Sequence, residues 1–312
     1  MRKVQIVLLI LIIGIIGFFG WRLYRWNQGT QNPEPAAEDD AGEDFDIELM
    51  DQIYTLSADQ LSSKKDDGKD TILCLGNDSL AWDYDNGLSR ILGEVTGREI
   101  RNGAFPASTV SVSTDKEMGG EDLFSFFHIA EDIAAGDFSD LEQPVRDRWE
   151  ENYNYQTSYE TLVSTDYAAL DTILIYYDGE DYLRQRSGYN PDGDKMWTDV
   201  KTMTGAYATG IRAIRAAYPH IRLILVTPAL MVTYTPEGTP VAADRFDMGH
   251  GTLSTYIEFC FRLSEACGVT VIDNYHGMSD EENTNGYMVD TRHFSETGNR
   301  ALAAHIARVL AE

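Results

Sequence analysis

The chain has 312 residues, 43% of them hydrophobic, enough to bury a full core in one large α/β domain or two small ones, and one domain is the simpler expectation. Its 51 acidic residues against 25 Lys and Arg leave a formal charge of −26, and no basic run breaks it. Binding to nucleic acid or to an anionic surface through charge is therefore disfavoured, and a neutral or uncharged substrate fits better.

The N-terminus, "MRKVQIVLLILIIGIIGFFGW", has a basic start and an almost unbroken apolar run from Val4 to Gly20, long enough to span a bilayer as a helix. No small-residue cleavage site follows. Trp21, Arg22, Tyr24, Arg25 and Trp26 come next and suit a membrane interface, so residues 1–26 are predicted to be an uncleaved signal anchor rather than a cleaved signal peptide. The expected location is the cell membrane, with the remainder on the extracytoplasmic side. Residues 27–69, beginning "NQGTQNPEPAAEDDAGEDFD", are polar, acidic and without periodicity, and read as a flexible tether and lead-in.

From residue 70 to 312, short apolar runs alternate with longer amphipathic ones, the pattern of a parallel sheet covered by helices. Strands are predicted at "TILCLG", "REIR", "TILIYY", "IRLILVTP" and "VTVID", and helices around 80–95, 124–135, 203–218, 253–267 and 296–310. The last carries Leu302, Ile306, Val309 and Leu310 on one face, with Ser295 as its N-cap. No internal repeat is visible. Cys74, Cys260 and Cys267 form neither a CxxC pair nor a metal-ligand spacing, and read as small buried residues. HExxH, P-loop and GxGxxG motifs are lacking, so no metal or other cofactor is expected.

In an open parallel sheet, reactive groups gather where strands end. The first strand delivers "GNDSLAWD", placing Ser79 on a turn into a helix, where backbone N–H groups can face a developing oxyanion. A serine there is by itself more often a helix cap than a nucleophile. Near the C-terminus, "MVDTRHFSETG" sets Asp290 three residues before His293, on the same side of a helical turn, so the carboxylate can orient the ring. His128, His220, His250, His276 and His305 read as surface or packing residues.

These stretches resemble the SGNH hydrolases, also called GDSL esterases and lipases, over roughly 71–310. "LGNDSL" is similar to the first block, "IRNGAFPASTV" to the second and "VDTRHFSETG" to the last, while "ILIYYDGEDYL" occupies the place of the third. The resemblance implies a three-layer α/β/α, flavodoxin-like domain with a five-stranded parallel sheet. It also implies Ser79 as nucleophile, His293 as base and Asp290 as its orienting acid. Asn77 is an extra residue in the first block, and Ala107 stands where the family has an oxyanion glycine. The oxyanion asparagine of the third block is replaced by Glu180 or Asp181, carboxylates that repel an oxyanion unless protonated or turned away.

The expected chemistry is ester hydrolysis through an acyl-enzyme, with the Ser79 and Ala107 amides receiving the oxyanion. The expected partners are a small ester or an acylated glycan, especially an O-acetyl ester, and the membrane through the N-terminal helix, with no nucleic acid. The alternative is a catalytically impaired domain of this fold that binds a glycan or a protein. Tyr153, Tyr155, Tyr182, Tyr189 and Trp197 offer rings for sugar stacking, against the commoner role of packing on the domain body. "NPDGD" reads as a plain turn rather than a calcium loop.

Overall fold

All five predicted strands form in a computed structural model of the chain: β1 (Thr71–Gly76), β2 (Glu99–Asn102), β3 (Thr172–Tyr176), β4 (Arg222–Val226) and β7 (Thr270–Ile272). A short antiparallel hairpin, β5 (Val232–Tyr234) with β6 (Pro240–Ala242), lies between the last two and was not anticipated. The structure describes residues 50–81, 86–113, 120–148, 154–276, 278 and 284–312. The predicted anchor over 1–26 lies outside them. Among the described residues, no helix is long and apolar enough to cross a membrane.

The five strands are parallel, in the order β2-β1-β3-β4-β7. Their side chains alternate between two cores, as the period of two requires. Ile72, Cys74, Leu174, Ile224 and Ile272 face α2 (Leu88–Thr96) and α9 (Glu296–Leu310). Leu73, Leu75, Ile173, Leu223 and Val271 face the other way, towards α3 (Phe126–Ala135), α7 (Met203–Ala217) and α8 (Leu253–Cys267). Each such Leu or Ile, fully buried, contributes about 1.5–3 kcal/mol. The three layers are thus built around apolar strands buried on both faces, with the more polar, partly exposed β2 at one edge.

The predicted helix over 80–95 is two helices, α1 (Asp78–Ala81) and α2, with Gly87 as the N-cap of the second. Ser295 caps α9 by accepting from Gly298 N at 3.2 Å, as its position suggested. The insertion between β2 and β3 adds α4 (Glu142–Arg148) and α5 (Asn154–Val163). All three cysteines are buried, and burial pushes the Cys74 and Cys260 thiols up to about 12.

One expectation needs correction. Residues 50–54 of the predicted tether and lead-in are built into the domain: Gln52 pairs antiparallel with Val271 on the free edge of β7, each N–H to the other's carbonyl at 2.9 Å. Acidic composition suggested a solvated linker, but Asp51 accepts from His305 Nε2 at 2.7 Å and from Asp273 N at 2.8 Å. Of the aromatic residues weighed for sugar stacking, the described ones take the commoner role of packing. Tyr155 lies against Phe105 and Phe124, Tyr182 is fully buried, and Tyr189 stacks on Phe259 with centroids 4.3 Å apart. Trp197 is partly buried against the same core, and Tyr153 lies outside the described residues.

The strand order reverses direction between β1 and β3, and in such sheets ligands bind beyond the strand ends at that switch point. Gly76 closes β1 there opposite Tyr176. A Cβ on Gly76 would stand 2.0 Å from the Tyr176 carbonyl oxygen, so only glycine lets the two strand ends approach this closely.

Candidate active site

Just past Gly76, the Asn77 carbonyl accepts from Leu80 N at 3.0 Å and Ala81 N at 2.9 Å, which starts α1 and lifts Ser79 to the strand-end face. The extra residue is a structural grip. Asn77 Nδ2 donates to Asp178 Oδ1 at 2.7 Å, and Asn77 Oδ1 accepts from Asp178 N at 3.2 Å. Asp178, the second residue after β3, is thereby held against α1. The buried Ser79 hydroxyl donates to Asp178 Oδ2 at 2.8 Å.

From the other side, His293 Nδ1 lies 2.7 Å from Asp290 Oδ2, while Asp290 Oδ1 accepts from the backbone N of His293 at 2.8 Å and of Arg292 at 2.9 Å. Partial burial works against ionisation of Asp290, but these hydrogen bonds win and hold its carboxyl below the usual carboxylate range. An ionised carboxylate only accepts, so Nδ1 carries the proton. That directs Nε2 towards Asp178 Oδ2, 3.8 Å away. Burial pushes the Asp178 carboxyl above its ordinary range, opposed by the Arg292 guanidinium and reinforced by the nearby Asp78.

Arg292 organises the remaining acids. It donates to Asp78 Oδ2 at 2.7 Å and to Glu180 Oε2, and lies 3.7 Å from Asp178 Oδ1. Burial alone would lower its pKa, yet these three carboxylates raise it. A guanidinium thus sits at the centre of the acids, where their shared charge could otherwise draw a cation.

Ser79, His293, Asp290, Ala107 and Glu180 are all brought to this end of the sheet, linked through Asp178, Asp78 and Arg292. Ala107 has the left-handed φ of 53° expected at a glycine position, and its N–H is donated to Asp78 Oδ1 at 3.0 Å. Glu180 is tied to Arg292 and to Arg184 Nε at 2.7 Å. Asp181 does not belong to the site. Its carboxylate accepts from Val110 N at 2.7 Å and Ser111 N at 3.0 Å and from the Ser111 hydroxyl, so as an oxyanion candidate it is corrected to a loop anchor.

Sequence reasoning missed Asp178, Asp78 and Arg292. Asp178 was open to the same strand-end rule that found Ser79, and Arg292 lies inside the Asp290–His293 spacing. Asp78 carries no signal beyond standing next to Ser79.

No family model matches the chain. One solved structure, 22% identical, superposes with a TM-score of 0.56 over 79% of this chain and 98% of its own. A protein from Lactobacillus plantarum, 15% identical, does so with a TM-score of 0.51 over 78% of this chain and 97% of its own. A protein from Slackia heliotrinireducens described as an SGNH hydrolase, 14% identical, gives a TM-score of 0.41 over 78% and 100%. In sequence, the chain is 28% identical over 89 residues to a human protein named isoamyl acetate-hydrolyzing esterase 1 homolog, covering 28% of this chain and 36% of that one. Little more than a third of that relative's length is therefore matched. The chain shares the fold of the first two of these structures, a three-layer α/β architecture around a five-stranded parallel sheet.

Proposed function

We propose that the protein is a serine ester hydrolase that cleaves short acyl esters, with Ser79 as nucleophile. One observation carries this reading: the buried Ser79 hydroxyl donates to a carboxylate oxygen of Asp178 that also faces the imidazole held by Asp290. Asp178 takes the hydroxyl proton as Oγ attacks the acyl carbonyl. The proton then passes to His293 Nε2 and on to the leaving alkoxide, and water reverses the sequence to free the acid. The Arg292 guanidinium receives the oxyanion together with the Ala107 amide, once substrate displaces Asp78 from it.

Acetate esters are the first substrates to try, in keeping with the name of the human relative. The anchor predicted over residues 1–26 would hold the site outside the cytoplasmic membrane, where O-acetylated glycans are the ester class within reach. A second reading, a domain that binds such a glycan without cleaving it, is favoured by one contact: Asp78 holds the Ala107 amide that an oxyanion needs. The two are separated by assaying a panel of short acyl esters and acetylated oligosaccharides with the wild type and Ser79→Ala. The expected result is turnover with a trappable acyl-Ser79, lost in the variant. Binding of acetylated oligosaccharide with no hydrolysis of any ester would leave the second reading standing.

A further inference from the structure

Away from the strand ends, α3 carries His128 and Asp132 one turn apart on one face, and the turn after Gly136 returns Asp140 to them. One atom from each of these side chains lies within 4.8 Å of the other two. His128 Nε2 is 2.8 Å from Asp140 Oδ2 and 3.6 Å from Asp132 Oδ2. Ligand atoms around a tetrahedral zinc at ~2.1 Å are about 3.4 Å apart, and the two separations bracket that value.

The contacts are not hydrogen bonds. Neither ring nitrogen of His128 has a hydrogen-bond partner, and Asp132 Oδ2 has none either. The 2.8 Å approach of His128 Nε2 to Asp140 is an ion-pair distance without a hydrogen bond. Both side chains are at least nine-tenths buried, at 7% and 10% exposure, whereas that of Asp140 is 49% exposed and opens the cluster to solvent. Buried polar atoms are almost always satisfied, so the unpartnered His128 Nε2 and Asp132 Oδ2, converging with Asp140 Oδ2, call for a further body between them.

We propose that His128 Nε2, Asp132 Oδ2 and Asp140 Oδ2 hold a divalent transition-metal ion. One imidazole and two carboxylates suit Zn2+ first and Mn2+ second. The ion would pin the C-terminal half of α3 to the turn that follows it, a structural role distinct from the chemistry at Ser79.

The test uses the full-length chain, stripped with chelator and dialysed against Zn2+ or Mn2+, with bound metal counted and thermal unfolding followed. The expected result is one equivalent of metal more in the wild type than in Asp140→Asn, whose half-exposed position tolerates the change, and a metal-dependent rise in Tm that this variant loses. Asp132→Asn should weaken binding by more than about 100-fold, beyond the usual cost of an outer-shell change. Its metal-free Tm should equal or exceed that of the wild type, because Asp132 Oδ2 has no hydrogen-bond partner to lose. Equal metal content and equal Tm shifts in the wild type and both variants would overturn the assignment.

Discussion

The Ser79 hydroxyl gives its one proton to Asp178 Oδ2, at 2.8 Å, and His293 Nε2 faces that same oxygen from 3.8 Å. A carboxylate therefore stands between the serine and the imidazole, where direct contact between those two was expected. It is already positioned to receive the proton, and its burial makes it a stronger base than an exposed aspartate.

The first prediction follows from that placement. Asp178→Asn should lower kcat/KM for a short acyl ester by about 10²–10⁴, the usual worth of a positioned proton acceptor. Because the Asp178 pKa is raised and the ionised form is the active one, the wild-type rate should climb with pH through a limb above the ordinary carboxylate range. The variant should lack that limb. A pH and rate profile that keeps it in Asp178→Asn would assign the base to another group.

Asp78 is the second target, since it occupies the Ala107 amide and shares Arg292 with Glu180. Asp78→Ala should free both donors and raise kcat, by up to the 10²–10³ that one oxyanion donor is worth. Glu180→Gln should do less, because Arg292 keeps its contact with Asp78. Single-turnover rates of the two variants give the comparison, and a larger gain from Glu180→Gln would misplace the oxyanion.

Asp290→Asn tests the orientation of the ring. The amide can still accept from the backbone N of Arg292 and His293, but no longer draws Nδ1–H as a charge. Activity should fall by less than in His293→Ala, with the overall fold unchanged by circular dichroism. Equal losses would mean that the charge of Asp290, and not the ring geometry it enforces, is what matters.

The edge made by residues 50–54 predicts a pH-dependent stability. Partial burial works against the charge of Asp51, but the hydrogen bonds from His305 and the Asp273 amide hold its folded pKa below the unfolded value. Its contribution is full above the unfolded carboxylate value of about 3.9 and is lost as pH falls through the depressed folded one. Asp51→Asn should cost about 1–2 kcal/mol at neutral pH, allowing for solvent at this partly exposed group, and little in strong acid. Urea melts at both pH values measure it, and a cost that does not shrink in acid would contradict the pairing.

Much of the fold was legible in the sequence because strands buried on both faces must be continuously apolar. "TILCLG" and "TILIYY" meet that requirement and fall at β1 and β3 almost to the residue. The β5–β6 hairpin is three residues per strand with mixed burial, too short for periodicity to reveal. In the site, Ser79, Asp290 and His293 stood out through motif and spacing. Asp178 did not, because the position that touches Ser79 depends on how far β3 runs and on Asn77 gripping the chain after it. Such a contact is a property of two strand ends brought side by side, and no local pattern encodes it.

The pairing of Gln52 with Val271, and of Asp51 with His305 across 254 positions of chain, also bears on how the domain is made. Synthesis delivers the lead-in first and its partners last. The edge of the sheet cannot close until β7 and α9 have been completed, so the earliest segment of the domain must wait unpaired through nearly all of translation. Contacts this distant in sequence slow folding and leave an open strand edge in the meantime. The acidic residues that crowd the lead-in, Asp46, Glu48 and Asp51 among them, keep that waiting segment soluble and repel a second copy.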